Sequence, residues 1–472
     1  MNISILTSEI AIVLLAVLIM LFDLVLPRQE SRRSLGYLAA WGVFAIFVYT
    51  FTQYGMSATV YKGLFIVDNF AVFFKQIFLI STLLLLLFSF DYVQGLSRNQ
   101  GEFYALMLFA VAGMMIMASA NDLLTIFVGL ELMTVIFYIL VGFNFASVKS
   151  SEAGMKYLIL GSASSAVLLY GMSWVYGATG SIALQQISMQ VTEENPALLL
   201  GLGLMLAGIG FKLAIAPFHM WAPDIYEGAP TPITAMLAMG SKAAGFAILL
   251  RIFIAAFSAL QSYWLIAVSF MAVLSMVGGT VVAMRQTNIK RMIGYSSIAQ
   301  AGYMLAGLLA ADVAGVQGML FYTMLYVFAN VGAFAVIVAV GKHGGSDEIE
   351  DLSGLSQKSP FLALSMTVAL LSMAGIPPMA GFVGKFYIFM AVIEQGYLWM
   401  AIIGFVMSMI SVYYYLQVVK TMYMKEPKDE QPLVILVPIG LAASISILVT
   451  LFLGIYPAPL AKLAKAAAQT LW

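Results

Sequence analysis

The sequence predicts an all-α polytopic membrane protein with about 14 transmembrane helices. Three observations carry that prediction. Hydrophobic residues make up 62% of the 472-residue chain and charged residues only 9%, whereas ordinary soluble domains are about 45–50% apolar. Apolar runs of about 20 residues, long enough to cross a bilayer, recur from end to end. Lysine and arginine gather in alternate loops, the pattern that orients membrane proteins. The same composition excludes several classes of function. Net charge is zero, so no basic surface for nucleic acid is expected. There is no cysteine, which rules out disulfides, thiolate metal sites and cysteine-ligated iron–sulfur clusters. The two histidines, His219 and His343, are too few to ligate a pair of haems. The chain is expected to carry no redox cofactor of its own.

In chain order the spans fall at about 5–26, 35–54, 65–92, 103–120, 122–142, 153–177, 196–215, 231–257, 262–284, 288–309, 313–341, 359–391, 397–424 and 432–455. The first contains the run Ile10 to Leu26, with Asp23 near its end. It lacks a basic n-region and a small-residue cleavage site, so it reads as a spanning helix and not as a signal peptide. The seventh and twelfth spans read as broken. The seventh meets Pro217 and the loop Pro-Phe-His-Met-Trp-Ala-Pro-Asp (217–224), and the twelfth contains Gly-Ile-Pro-Pro (375–378) and Gly381. On this count thirteen basic residues share one side, among them Arg28, Arg32, Arg98, Lys149, Arg291 and Lys342, and only Lys62, Lys462 and Lys465 share the other. The rich side is expected to face the cytoplasm, with both termini on the outer, periplasmic side.

Helices broken at membrane depth are tolerated only where protein or a wet cavity satisfies the freed backbone groups. Breaks five helices apart suggest two five-helix repeats, spans 4–8 and 9–13. An odd number of helices inverts one repeat relative to the other, which places ion sites near the midplane between them. The expected organisation is 1–102 for helices 1–3, 103–257 for the first repeat, 258–424 for the second, and 425–472 for helix 14 and a tail. Each break has a lysine beside it, Lys212 before Pro217 and Lys385 after Pro378.

Lys212, Lys242, Lys385 and Glu131 all lie inside apolar spans. A charge near the bilayer centre costs roughly 2.5–3.5 kcal/mol on insertion scales. Four of them in so apolar a chain point to the passage of something charged, most simply protons. Glu131 follows the helix mouth at Asp122 by nine residues, roughly 13 Å into a core about 30 Å thick. Lys242 follows Thr231 by eleven, roughly 16 Å. A dehydrated lysine holds its proton less tightly, and a nearby carboxylate restores the hold. The expectation is that Glu131 pairs with Lys212, that Lys242 takes the proton next, and that Lys385 holds it near the far exit. A static ion pair gluing helices is the competing reading, but three cations and one anion cannot neutralise one another.

Other polar residues read less sharply. Glu152 and Lys156 stand four apart, Glu first, the favourable order on a helix. They read either as an interfacial salt bridge or as a relay or neighbour contact. His219 reads either as a packing residue or as a relay toward the cytoplasmic surface, and His343 as solvated. Asp224 and Glu227 read as gathering protons at the entrance or, in preference, as caps of the eighth helix, and Lys75 and Arg251 as snorkelling or locally paired. The glycines at 201, 203, 208 and 210 sit in an apolar span with no strand before them, so they suit close helix packing and not a nucleotide loop. The 31 methionines read as membrane filler.

At these residues the chain resembles the antiporter-like membrane subunits of bacterial respiratory complex I, the proton-translocating NADH–quinone oxidoreductase, and within them the subunit N family. The stretches that carry the resemblance are LLTIFVGLELMTVIFYIL (123–140), EAGMKYLILGSASSA (152–166), FKLAIAPFHMWAPDIYEGAPTPITA (211–235), GSKAAGFAILLR (240–251), NIKRMIGYSSIAQAGYM (288–304) and GIPPMAGFVGKFYIF (375–389). The segment 211–235 is the specific one; sibling subunits L and M and Mrp-type cation/proton antiporters share the broken helices but word this loop differently. The resemblance implies 14 helices with inverted five-helix repeats. It also implies proton-transfer roles for Glu131, Lys212, Lys242 and Lys385, with Glu152 and Lys156 as a charged pair on the sixth helix. FMN, iron–sulfur clusters and quinone would belong to partner subunits. The implied partners are subunit M on one flank and small membrane subunits on the other, in a bacterial inner membrane. An Mrp-type antiporter subunit is the alternative.

Overall fold

The computed structural model describes residues 6–27, 32–96, 99–191, 195–342, 346–428 and 433–472. Arg28, Arg98 and His343 lie outside the described residues. The first three spans are α1 (Thr7–Val25), α2 (Arg33–Thr50) and α3 (Asn69–Gln94). Next come α4 (Gln100–Ser119), α5 (Leu123–Val141), α6 (Val148–Thr179), a short α7 (Leu184–Gln190) and α8 (Pro196–Leu213). A loop helix, α9 (Trp221–Gly228), leads into α10 (Thr231–Met236) and α11 (Lys242–Ala255), which a π-helical turn at Leu237–Ser241 joins into one span. Then follow α12 (Gln261–Ala283), α13 (Ile289–Gly307) and α14 (Val313–Gly341). The short α15 (Leu355–Lys358) precedes a span split into α16 (Pro360–Ala374) and α17 (Ala380–Glu394). The chain closes with α18 (Leu398–Met424), α19 (Val437–Ile455) and α20 (Ala458–Ala468).

Every predicted span therefore has a helix. Among the described residues twelve are long and apolar enough to cross a membrane. The two spans outside that set are α13, which carries Lys290, Arg291, Ser296, Ser297 and Gln300, and the split α16–α17. Not foreseen was a small antiparallel hairpin between α2 and α3, β1 (Ala58–Val60) with β2 (Phe65–Val67). At three residues a strand it is too short for an alternating pattern to show.

Helix starts follow local chemistry. The Asp68, Asp122 and Asp312 carboxylates accept from Ala71 N (2.7 Å), Thr125 N (2.9 Å) and Gly315 N (2.7 Å) at the mouths of α3, α5 and α14. Each cap satisfies an amide that would otherwise be orphaned. α3, the α10–α11 span and α14 are buried along most of their length and form the core. The outer helices turn large apolar side chains outward, such as Leu24, Ile266, Phe405 and Leu448, a surface suited to lipid and not to water. Small residues let backbones meet where helices cross. A Cβ on Gly113 of α4 would lie 2.7 Å from Met133 N on α5, and one on Gly279 of α12 would lie 2.6 Å from Ala299 N on α13. α6 and α8 meet likewise at Gly171 and Gly201, the packing expected of that glycine stretch, although Gly203 faces open space.

The two broken spans share one geometry. α8 ends at Ala214 (φ 53°, ψ 46°) and α16 at Gly375 (φ 81°, ψ 41°), both left-handed. Ala214 N donates to Phe211 O (2.9 Å) and Ile215 N to Gly210 O (2.9 Å); Gly375 N donates to Ser372 O (3.0 Å) and Ile376 N to Leu371 O (3.1 Å). Each is a Schellman motif, which closes the last carbonyls of a helix without a further turn. The helices thus stop three residues before Pro217 and Pro378, at the left-handed residue and not at the proline.

Candidate functional site

The π-helical turn ends where Lys242 begins α11, the Schellman turns lie beside Lys212 and Lys385, and Glu131 sits mid-way along α5. All three lysines are buried, at 2%, 2% and 4% exposure. Lys212 Nζ donates to Thr134 Oγ1 (2.9 Å) and lies 5.9, 6.0 and 5.8 Å from the rings of Tyr138, Tyr157 and Phe211. Lys242 Nζ donates to Ser297 O (2.6 Å) and Ser297 Oγ (3.1 Å). Lys385 Nζ donates to Met373 O (2.8 Å) and Ser408 Oγ (2.8 Å), 4.3 Å over the ring of Tyr303. None of the three has a carboxylate oxygen within 4.0 Å among the described residues. Neutral oxygens and aromatic faces are what solvate them.

Glu131 is half-buried, and its Oε1 has no protein hydrogen-bond partner. No oxygen of Glu131 comes within 4.0 Å of Lys212 Nζ. The expected Glu131–Lys212 pair is therefore an open one. The hydroxyls of Tyr138 and Tyr157 beside Lys212 are likewise buried without protein partners, and such groups in native proteins are met by ordered water.

Uncharged residues that the sequence reading missed connect Lys242 toward Lys385. Ser297, which holds Lys242, follows Ser296, whose Oγ shares a short hydrogen bond with Tyr415 OH. Gln300 Nε2 donates to Tyr415 OH (3.2 Å) and to Met373 O (2.8 Å), the carbonyl that also receives Lys385. Tyr322 OH donates to Gln300 Oε1 at 2.5 Å. The signal was present as Ser-Ser-Ile-Ala-Gln (296–300), which puts Ser296 and Gln300 four apart on one face of α13.

Glu152 and Lys156 lie at the start of α6, Asp224 and Glu227 on α9, and Arg291 at the start of α13. Lys156 Nζ bonds Glu152 Oε1 (2.7 Å) and Asp224 Oδ2 (3.3 Å). Arg291 bonds Asp224 Oδ1 (2.6 Å) and Glu227 Oε2 (3.2 Å), and Lys149 bonds Glu227 (3.1 Å). Burial pushes the Asp224 carboxyl up, but Arg291 and Lys156 outweigh it and hold it below its ordinary value. His219 is half-buried in the turn before α9, its Nδ1 without a protein partner. Lys75 and Arg251 are paired, Lys75 to Glu9 (2.6 Å) and Arg251 to both oxygens of Asp68 (2.6 and 3.1 Å).

Residues 120–411 match the family described as "NADH:quinone oxidoreductase/Mrp antiporter, TM". The chain is 52% identical to "NADH-quinone oxidoreductase subunit N" of Heliobacterium modesticaldum, covering 100% of both chains. It is 47% identical to the protein of the same name from Desulforamulus reducens, over 99% of this chain and 98% of that one. A chain of respiratory complex I from Thermus thermophilus with bound aureothin superposes with a TM-score of 0.83 at 33% identity, covering 97% of this chain and 99% of that one.

Proposed function

The chain belongs to the subunit N family of NADH-quinone oxidoreductases, and we propose that it moves protons across the membrane while other subunits carry electrons from NADH to quinone. The observation that supports this best is the solvation of the three lysines. Each is buried, and each is held by neutral groups without a contact carboxylate. A buried lysine in that setting has no fixed anion tying it to its charged form, so it can give up a proton as well as take one up.

In this reading Glu131 controls Lys212. As the carboxylate approaches, Lys212 is held charged; as it withdraws, Lys212 releases its proton. Lys242 receives it, Ser297, Ser296, Tyr415 and Gln300 line the way between the halves, and Lys385 holds the proton before the far exit. Spans 4–8 and 9–13 form two inverted repeats, a reading supported by the matched Schellman breaks in α8 and α16. The basic-rich loops face the cytoplasm, both termini face outward, and subunit M and small membrane subunits flank the chain. FMN, iron–sulfur clusters and quinone belong to the partner subunits.

The test is the assembled complex with Lys212→Ala in sealed vesicles, measuring protons moved per electron transferred. The ratio should fall while the complex still assembles. An unchanged ratio would sink the channel, and transport that requires sodium would favour the Mrp-type reading.

A further inference from the structure

We infer that α9 is an ion-clamped lid over Lys212, with Asp224 as the residue that positions it; the functional meaning of the lid rests on the proton-transfer reading of Lys212. Trp221 at the start of α9 is 4% exposed. Its ring stacks on Tyr157 (centroids 4.8 Å apart, 14° between planes) and on Phe211 (5.2 Å, 27°), and its Nε1 donates to Phe211 O (2.7 Å). Tyr157 and Phe211 are two of the three rings around Lys212 Nζ. Trp221 therefore backs the wall of the chamber that holds the lysine.

One turn further along α9, Asp224 is gripped from two sides. Lys156, the residue before Tyr157 on α6, holds one oxygen, and Arg291 at the start of α13 holds the other. Glu227 repeats the arrangement with Arg291 and Lys149. Backbone contact completes the seat, since a Cβ on Gly228 would lie 2.6 Å from Lys149 O. α9 is thus strapped between α6 and α13 by four ion pairs, all at least partly exposed. Such pairs are individually weak. Lys156 also has a second anion, Glu152, at 2.7 Å, so it can release Asp224 without losing a partner. Release of Asp224 by Lys156 therefore strands no charge, and moving α9 must then unseat Trp221, Ile225 and Tyr226 as well.

The strap also joins the two sites. Arg291 lies on the same helix as Ser297, six residues later, the partner of Lys242. A shift of α13 that changes the hold on Lys242 pulls on Asp224 and so on Trp221. Opening the lid exposes the Lys212 chamber from the end of α9; closing it seals the chamber.

The chain has no cysteine, so one introduced thiol reports on the chamber. Ser165, buried beside Tyr138 on α6, is replaced as Ser165→Cys in the assembled complex. Labelling by a small thiol reagent is then followed by mass spectrometry of this subunit. Asp224→Asn should speed labelling roughly tenfold by removing two exposed pairs, and Asp224→Glu should restore the slow rate. Arg291→Gln attacks the clamp from α13 and should give the same acceleration if Asp224→Asn does not assemble. Equal labelling rates in the clamped and unclamped proteins would overturn the lid. The result is independent of pumping: a lid that opens in a protein whose Lys212→Ala variant still pumps would leave the lid standing and defeat the functional reading.

Discussion

Two sets of buried cations occupy this membrane core, and they are built in opposite ways. Lys75 and Arg251, on α3 and α11, each meet a carboxylate at 2.6 Å, and Arg251 adds a bond to Ala118 O at 2.9 Å. Lys212, Lys242 and Lys385 meet only hydroxyls, carbonyls and rings. In sequence all five are cations in apolar runs, of which Lys75 and Arg251 read as snorkelling or locally paired. The partner makes the difference. A buried cation with a fixed anion is locked in its charged form, and removing either partner strands the other. A buried lysine with neutral partners keeps both protonation states within reach. The first set ties α1, α3 and α11 together; the second set suits transfer.

The comparison breaks most visibly at Arg251. Arg251→Met would strand Asp68, buried at 3% exposure, and should cost about 3–5 kcal/mol, seen as loss of folded subunit from the membrane. Lys242→Met strands no charge, so the subunit should persist at near-normal levels while proton movement is lost. Equal losses of folded protein in the two variants would erase the distinction between the sets.

Next in size is the turn beside Lys385. Gly375→Ala places a Cβ 3.1 Å from Lys385 Cδ in a left-handed conformation and should cost about 1–2 kcal/mol, read as a lower unfolding temperature. Its counterpart already carries a side chain, so Ala214→Gly should be neutral or stabilise by up to about 1 kcal/mol. Opposite signs for the two changes would support the shared geometry of the breaks.

Gln300→Leu should sharpen the comparison at the link. It removes contacts to Met373 O, Tyr415 and Tyr322 and should slow proton movement roughly tenfold, with complex assembly preserved. Proton flux at the native rate would remove Gln300 from the path.

The smallest effect is at the surface. Asp351 bonds Lys428 (2.6 Å) and clasps the loop before α15 to the end of α18. Burial pushes its carboxyl up, but Lys428 and Ser346 outweigh it and hold it at about 2, below its ordinary 3.8. A depressed carboxyl stabilises the fold above its unfolded value and loses that contribution as pH falls through the folded value. Amide protection around 346–353, taken relative to the intrinsic exchange rate at each pH, should therefore hold from neutral pH down to about 4 and fall only toward about 2.

Much of this was legible in the sequence because the membrane imposes it. Spans announce themselves by length and apolarity, and Asp122 did mark the mouth of α5, with Glu131 mid-way along that helix. The prolines announced the breaks but not their place, since the left-handed turns at Ala214 and Gly375 end the helices earlier. The π-helical turn before Lys242 has no sequence signature; its alternative hydrogen bonding is settled by packing in the core. The partners of the lysines were illegible for a different reason. Thr134, Ser297 and Ser408 are short polar residues of the sort that helices in membranes tolerate anywhere by bonding their own backbone, and only the fold brings them to an amine. Lys75 and Arg251 already read as snorkelling or locally paired, but their partners Glu9 and Asp68 show only in the fold.

The central claim is that the absence of a contact carboxylate lets the three lysines pass protons. Ser408→Asp tests it most directly, by placing an anion where Lys385 now has a hydroxyl at 2.8 Å. The complex should assemble, the new carboxylate should pair with Lys385 as Glu9 pairs with Lys75, and protons moved per electron should fall. An unchanged ratio with the aspartate in place would contradict it.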